Sequence, residues 1–270
     1  MEKNQKMNKK LASEIRDNGI IKIDNFLNND EIIKIKKIVK HYSAPKNSPD
    51  SYFPTNFNKL VLKILKLNFV KFFHSIEILK LGRKKRLDDL ADEFFGKTSK
   101  LSFIDAYYSK ISKQDVLPWH TDQAYLGKKE VTSFNDPDGF FLKIFVYLTD
   151  VGPDDGCMSY IKGSHKIGYA IRKGIFEKNI PYQPYWSIKD FKKIISDNKN
   201  YFENYFENSK IIENFFNQTE NLEKDNSKEV FGYSAKAGSA IVFDEGGVHR
   251  GSRPQNTDRM VLRYLYSSKN

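Results

Sequence analysis

From Leu101 onward the chain stops reading as helix. The segments SFIDAYYSKI, FFLKIFVYLTDV, GCMSYIKG, SAIVFDE and RMVLRYLYSS are rich in β-branched and aromatic residues, and the turn signals DPDG, GPDDG and DEGG fall among them. Short strands punctuated this way suit an antiparallel barrel or jelly roll, because alternating βαβ units would need helical stretches between them. The first half has the opposite character. After Asn29 and Asp30, the residues Ile32, Ile33, Ile35, Ile38, Val39 and Tyr42 follow a helical period, with lysines between them. A second helical block runs from about Asn58 to Lys80 and a third from about Leu87 to Phe95. Ahead of them, GIIKIDNFL reads as a short strand leading into a helix cap. The expected fold is therefore mainly β with flanking helices: a helical part over about residues 1–100 and a barrel over about 101–270. A single domain over 1–270 is expected, since no internal repeat and no Pro/Gly/Ser linker divides the chain and β barrels reach this length as one unit.

One stretch of the barrel half breaks the pattern. Between Lys166 and Glu229 lies a polar insertion studded with aromatics, including IPYQPYW and NYFENYFENSKIIENFF. It is longer than ordinary connections, which predicts either a lid or partly helical cover over a site, or a surface elaboration without a binding role. As a lid, its Tyr169, Phe176, Tyr182, Tyr185 and Trp186 would shield bound substrate from water, and Arg172 and Lys173 would meet an anionic one.

Composition removes several function classes. A hydrophobic fraction of 39% with 14% aromatics argues for a packed globular chain and against disorder. A single cysteine, Cys157, excludes a disulfide framework within the chain and suits a reducing compartment. The opening MEKNQKMNKKLASE has no apolar signal-peptide core. The most apolar region, Leu60 to Leu81, is interrupted by Lys63, Lys66, Lys71 and Lys80 and cannot span a bilayer, so a cytoplasmic location is expected. The net charge of +11 comes mostly from scattered lysines. Its one dense run, RKKR from Arg83 to Arg86, follows Gly82 at a helix end or loop and reads as solvated surface. No nucleic-acid-binding motif accompanies it, which leaves a small molecule as the expected partner.

Within the barrel half, WHTDQAY carries His120 and Asp122. On an extended strand, side chains two apart project from one face, as two ligands of one ion must. Alone, the pair reads equally well as a satisfied polar pair at a strand end. Of the other histidines, His41 ends an amphipathic helix and His74 sits in the second helical block, both structural or surface positions. His249, in IVFDEGGVHRGS, follows a strand and a tight turn of the same barrel half. Two histidines and a carboxylate form the facial triad of non-haem Fe(II), with three positions left open. Ten residues on, Arg259 opens RMVLRYLY, where alternation puts Arg259, Val261, Arg263 and Leu265 on one face. A buried arginine is costly without an anion, and its planar fork suits a carboxylate. An iron site beside such an arginine describes a 2-oxoglutarate site.

Taken in order, these motifs resemble the phytanoyl-CoA dioxygenase-like family of Fe(II)/2-oxoglutarate oxygenases. DNGIIKIDNFLNNDEI is similar to that family's opening strand and helix, and WHTD to its metal motif. VYLTDVGPDDGCMSYIKGSHK is similar to the strand, turn and Gly-Ser-His segment that follows, and VHRGSRPQNTDR holds the distal histidine and the arginine. The resemblance implies a double-stranded β-helix, a cupin-like jelly roll. It implies that His120, Asp122 and His249 ligate Fe(II), with no further catalytic side chain, and that Arg259 anchors the far carboxylate of 2-oxoglutarate. Arg263 is the competing arginine, at a spacing from His249 that fits less well. Tyr108, in YYSK, stands where relatives often place a polar contact to 2-oxoglutarate; packing in the barrel is the other reading. Relatives often carry a serine two residues past the distal histidine, whereas this chain has Gly251 there, with Ser252 beside it. His165, in GSHK, reads as structural. The implied reaction is hydroxylation with O2, releasing succinate and CO2. Desaturation and oxidative cyclisation use the same residues, and a non-catalytic barrel is the remaining alternative. The intact carboxylate of Asp122 speaks against halogenation, which needs a small residue in that place.

Overall fold

A computed structural model of the chain describes residues 2–41, 52–56, 69–113, 117–122, 141–181, 187–207, 210–220, 222 and 230–268. The chain opens with helix α1 (Glu2–Asn18), strand β1 (Ile20–Ile23) and helix α2 (Asn29–His41). Asn28 caps α2 reciprocally: its Oδ1 accepts from the Glu31 N–H at 2.9 Å, and Glu31 Oε2 accepts from the Asn28 N–H at 3.0 Å. Strand β2 (Tyr52–Phe53), helix α3 (Phe69–Lys84) and helix α4 (Leu87–Phe95) complete the first half. Of the second expected helical block, residues 57–68 lie outside the described part, and the helix begins at Phe69. The basic run is spent locally. Lys84 and Lys85 reach the two oxygens of Glu31 at 2.7 and 2.8 Å, and Arg86, in a left-handed turn, pairs with Asp89.

Ten strands form two antiparallel sheets among the described residues. The larger has the order β1–β8–β5–β10–β3–β2, where β3 is Ser99–Ser109, β5 Phe141–Tyr147, β8 Ala240–Asp244 and β10 Arg259–Ser268. The smaller has the order β4–β9–β6–β7, from Leu117–His120, His249–Gly251, Met158–Tyr160 and Gly232–Tyr233. Their stacking is that of a jelly roll, as the strand-rich second half predicts.

Period-two alternation gives the inner strands of the large sheet two buried faces. Leu142, Ile144 and Val146 of β5, Leu262 and Tyr264 of β10, and Ile104 and Ala106 of β3 point outward. They meet Ala12 and Ile15 of α1, Ile35 and Ile38 of α2, and Leu87 and Leu90 of α4. The opposite faces of the same strands meet the small sheet, where Tyr107, Phe145, Phe243 and Val261 pack with Met158 and Tyr160. Burial on both faces explains why these strands read as nearly continuous apolar runs.

Within the insertion, four helices are described: α5 (Ser164–Phe176), α6 (Ile188–Asp197), α7 (Lys199–Phe206) and α8 (Lys210–Glu220). A Ser187–Asp190 capping box starts α6. They share a buried cluster of Ile167, Ile171, Phe191, Ile195, Phe202 and Phe215, which continues into Phe231 and Val248 beside the small sheet. The described part of the insertion is thus a helical cover with its own core. Tyr182, Tyr185 and Trp186 lie outside the described residues. No helix among the described residues is long and apolar enough to cross a membrane.

Candidate metal centre

His120, the last residue of β4, lies directly across from His249, the first of β9. Between Leu117 and His120, β4 carries one residue more than β9 has between Gly251 and His249. That bulge matters, because strict alternation would put Leu117 and His120 on opposite faces, and with it both line one cavity. The expectation that Asp122 shares an extended strand with His120 is corrected. The strand ends at His120, and Asp122 stands two residues past it, outside β4. Between them, the Thr121 hydroxyl donates to the backbone oxygens of Glu245 and Gly246 at 3.2 and 3.3 Å.

The three ligand atoms converge all the same, lying within 4.8 Å of one another. Asp122 Oδ1 is 3.3 Å from His120 Nε2, and Asp122 Oδ2 is 3.3 Å from His249 Nε2. Each ring is oriented through its other nitrogen: His120 Nδ1 lies 2.6 Å from the Pro118 carbonyl and His249 Nδ1 2.9 Å from that of Gly247. An Nδ1–H given to a carbonyl leaves an Nε2 lone pair for a metal. Burial, reinforced by His120, pushes the His249 imidazolium below its ordinary pKa and keeps the ring neutral. Burial raises the Asp122 carboxyl, but Lys143 and the two imidazoles outweigh it and hold the carboxyl well below its usual range. Two buried imidazoles, that of His249 held neutral, and a half-buried ionised carboxylate converge as a donor set that fits Fe(II).

The cavity holding these atoms, about 60 Å³, is also lined by Tyr107, Lys143, Phe145, Met158, Arg259 and Arg263. The two arginines differ in their partners. Arg263 is committed to Asp105, with Nε to Oδ1 at 2.6 Å and an NH2 nitrogen to Oδ2 at 2.5 Å. Arg259 is 2% exposed and meets only neutral acceptors, donating to the Gly156 carbonyl and to Ser109 Oγ at 3.2 Å. Its Nε is buried without a hydrogen-bond partner, and no carboxylate among the described residues pairs with it. Packing contrasts the two tyrosines of β3 in the same way. Tyr107 lines the cavity, whereas Tyr108 packs toward the helical layer and donates to Asp258. The structure therefore does not bring Tyr108 to the cavity.

Other expected residues are also placed elsewhere. Gly251 lines the cavity with no side chain to offer, and Ser252 is fully buried but does not line it. His165 is structural, bonded through Nε2 to the Arg16 carbonyl at 2.9 Å. Arg172 is buried within the helical cover and Lys173 pairs with Glu177, so neither reaches the cavity. Tyr169 donates to the buried Asp244, and Phe176 is exposed. Lys143 and Glu245 were not read from the sequence as site residues. The available signal was a lysine inside the apolar run FFLKIFVY, in step with Phe145 and Tyr147 on the inward face.

Residues 15–261 match the family model of phytanoyl-CoA dioxygenase (PhyH). The chain belongs to that family. It is accordingly a non-haem oxygenase that uses Fe(II), 2-oxoglutarate and O2. No match is found among curated proteins. Among solved structures, the chain is similar to the epimerase SnoN in complex with Fe3+, alpha ketoglutarate and nogalamycin RO. That pair shares 15% identity at a TM-score of 0.53, over 97% of this chain and 84% of that one. It is also similar to the carbocyclase SnoK from nogalamycin biosynthesis, with 14% identity and a TM-score of 0.53 over 95% and 82% of the two chains. EctD from S. alaskensis, in its apoform, gives 12% identity and a TM-score of 0.55 over 96% and 76%. At these identities the likeness is one of fold.

Proposed function

We propose that His120, Asp122 and His249 hold the Fe(II), that Arg259 anchors the distal carboxylate of 2-oxoglutarate, and that the chain hydroxylates a small molecule. The observation that carries this reading is the Arg259 guanidinium, buried in the same cavity as the triad and lacking a carboxylate partner among the described residues. A buried cation without an anion costs several kcal/mol, on the order expected for any desolvated ion, and a dianionic co-substrate would offset that cost. When bound, the iron with 2-oxoglutarate and O2 supplies the oxidation, releasing succinate and CO2 as substrate is oxidised.

The protein's own residues orient and enclose. Tyr107 lies under Arg259, 5.8 Å from guanidinium carbon to ring centroid, and with Phe145 it walls the cavity. Ser109 Oγ accepts from Arg259 and takes the supporting role that Gly251 cannot fill. We assign Tyr108 to packing. Epimerisation and ring closure are the second reading, since those are the named reactions of two structural neighbours. Anaerobic titration with Fe(II) and 2-oxoglutarate, followed by a succinate-release screen with product analysis, tests both. A purified protein that binds neither iron nor 2-oxoglutarate would refute the assignment.

A further inference from the structure

Lys143 sits at the centre of a charge arrangement that the ligand triad does not require. It projects from β5 into the cavity, on the face opposite Leu142 and Ile144, and its side chain is 7% exposed. Its ammonium contacts Asp122 Oδ2, lies 2.5 Å from Glu245 Oε1 and stands 5.6 Å above the Phe243 ring. Glu245 is itself tied to the metal motif through its backbone, accepting from the Thr121 hydroxyl, while its own N–H donates to the Phe141 carbonyl at 3.1 Å. Glu245, Lys143, Asp122 and Thr121 thus close a ring of contacts around one carboxylate.

A buried lysine–glutamate pair adds no net charge to the site and is costly to desolvate, so its place beside a metal ligand calls for a reason. A facial triad takes one oxygen from its carboxylate. The other oxygen, half-buried here, needs a donor, or the carboxylate is free to rotate and offer both. Building on the metal-centre reading above, we propose that Lys143 is a positioning residue for Asp122. Each carboxylate oxygen lies 3.3 Å from one histidine Nε2, Oδ1 from that of His120 and Oδ2 from that of His249. The ammonium, tethered by Glu245, holds Oδ2 by a hydrogen bond and so leaves Oδ1 as the oxygen given to the metal. Of the two arginines lining the same cavity, Arg263 is spent on Asp105 and Arg259 donates to Gly156 and Ser109, so neither is bonded to Asp122.

A lysine near a dication also repels it, so removing Lys143 alone would mix two effects of opposite sign. The double change Lys143→Met with Glu245→Gln removes one charge of each sign and isolates the lost hydrogen bond. Replacing a buried ion pair by well-packed side chains is commonly neutral or stabilising, so this variant is expected to fold. Co(II) serves as the probe, without 2-oxoglutarate, with affinity and visible d–d spectrum as readouts. The double variant is expected to bind Co(II) about tenfold more weakly or worse and with an altered spectrum, as for other groups that orient metal ligands. Lys143→Arg, which keeps a charged donor, is expected to restore the wild-type spectrum.

A double variant with wild-type affinity and spectrum would overturn the proposal. So would unchanged Co(II) binding with loss of 2-oxoglutarate affinity, which would make Lys143 an anion-binding residue. Should the double variant fail to fold, Glu245→Gln alone, which loosens the tether, is expected to shift the spectrum in the same direction by less; no shift would overturn the proposal. His249→Ala run in parallel separates the two readings: if it too binds Co(II) like wild type, the metal centre itself is misplaced.

Discussion

Replacing Arg259 with methionine should uncouple folding from co-substrate binding. In the free protein the change removes hydrogen bonds to Gly156 and Ser109, a loss of about 1 kcal/mol each. Against that loss, it relieves a guanidinium that is 2% exposed and has no carboxylate partner, a desolvation cost of several kcal/mol. Methionine fills similar space, so stability of the free protein should be unchanged or higher. Co-substrate binding behaves oppositely. Losing a charge-assisted bidentate contact costs roughly 2–5 kcal/mol, or about thirtyfold to several thousandfold in Kd. Wild-type protein at a 2-oxoglutarate concentration of about 100 Kd should gain about 2.7 kcal/mol of stability, and the variant about 0.9 kcal/mol or less. Arg263→Met is the control with the reverse signature. It strands Asp105, 1% exposed, which should cost about 3–5 kcal/mol and lower Tm by roughly 6–20 °C. Thermal melts of the metal-loaded proteins, with and without 2-oxoglutarate, read both effects. An Arg259→Met protein that keeps the full ligand-induced shift would refute the reasoning, as would an Arg263→Met protein that loses it without losing stability.

Three further outcomes are expected. Alanine at His120, Asp122 or His249 should abolish stoichiometric Fe(II) binding in anaerobic titrations while the fold persists, and retained iron in the Asp122 variant would count against the triad. Gly247→Ala should weaken metal binding about tenfold or more, because a Cβ there would overlap the Tyr160 hydroxyl and displace the carbonyl that orients His249. Normal affinity would show that the backbone accommodates it. His165, buried, has its pKa lowered to about 4 by desolvation, below the ordinary 6.5. A depressed folded pKa means the unfolded chain binds the proton more readily. Stability from this group is therefore present above about 6.5 and lost as pH falls toward 4, by about 2 kcal/mol at pH 5. His165→Gln should show a flatter decline in Tm between pH 7.5 and 5 than wild type, and parallel curves would dismiss the assignment.

Much of this protein is determined by local sequence. Strand β10 reads correctly from RMVLRYLY because its β-branched and aromatic residues suit an extended chain buried on both faces, with Val261 in one core cluster and Leu262 in the other. Helices α2 and α4 follow from apolar period, and α2 also from the Asn28–Glu31 cap, which are properties of neighbours in the chain. The candidate triad is legible for a different reason: few residue types bind iron, and His120, Asp122 and His249 stand in an order that a motif describes. What only the tertiary structure decided concerns pairs distant in sequence. Alternation puts Arg259 and Arg263 on one face, and only the fold brings Asp105, 158 positions away, to pair with Arg263 and not with Arg259. Tyr107 and Tyr108 are indistinguishable as letters, and strand register against β10 decides which one meets the cavity. The bulge that turns His120 inward is visible only where β4 pairs with β9. Lys143 reads as a flaw in an apolar strand until packing brings Asp122 and Glu245 to its ammonium. Side-chain periodicity is a property of the chain alone, but the partner of a buried charge is set by which strands the fold lays side by side.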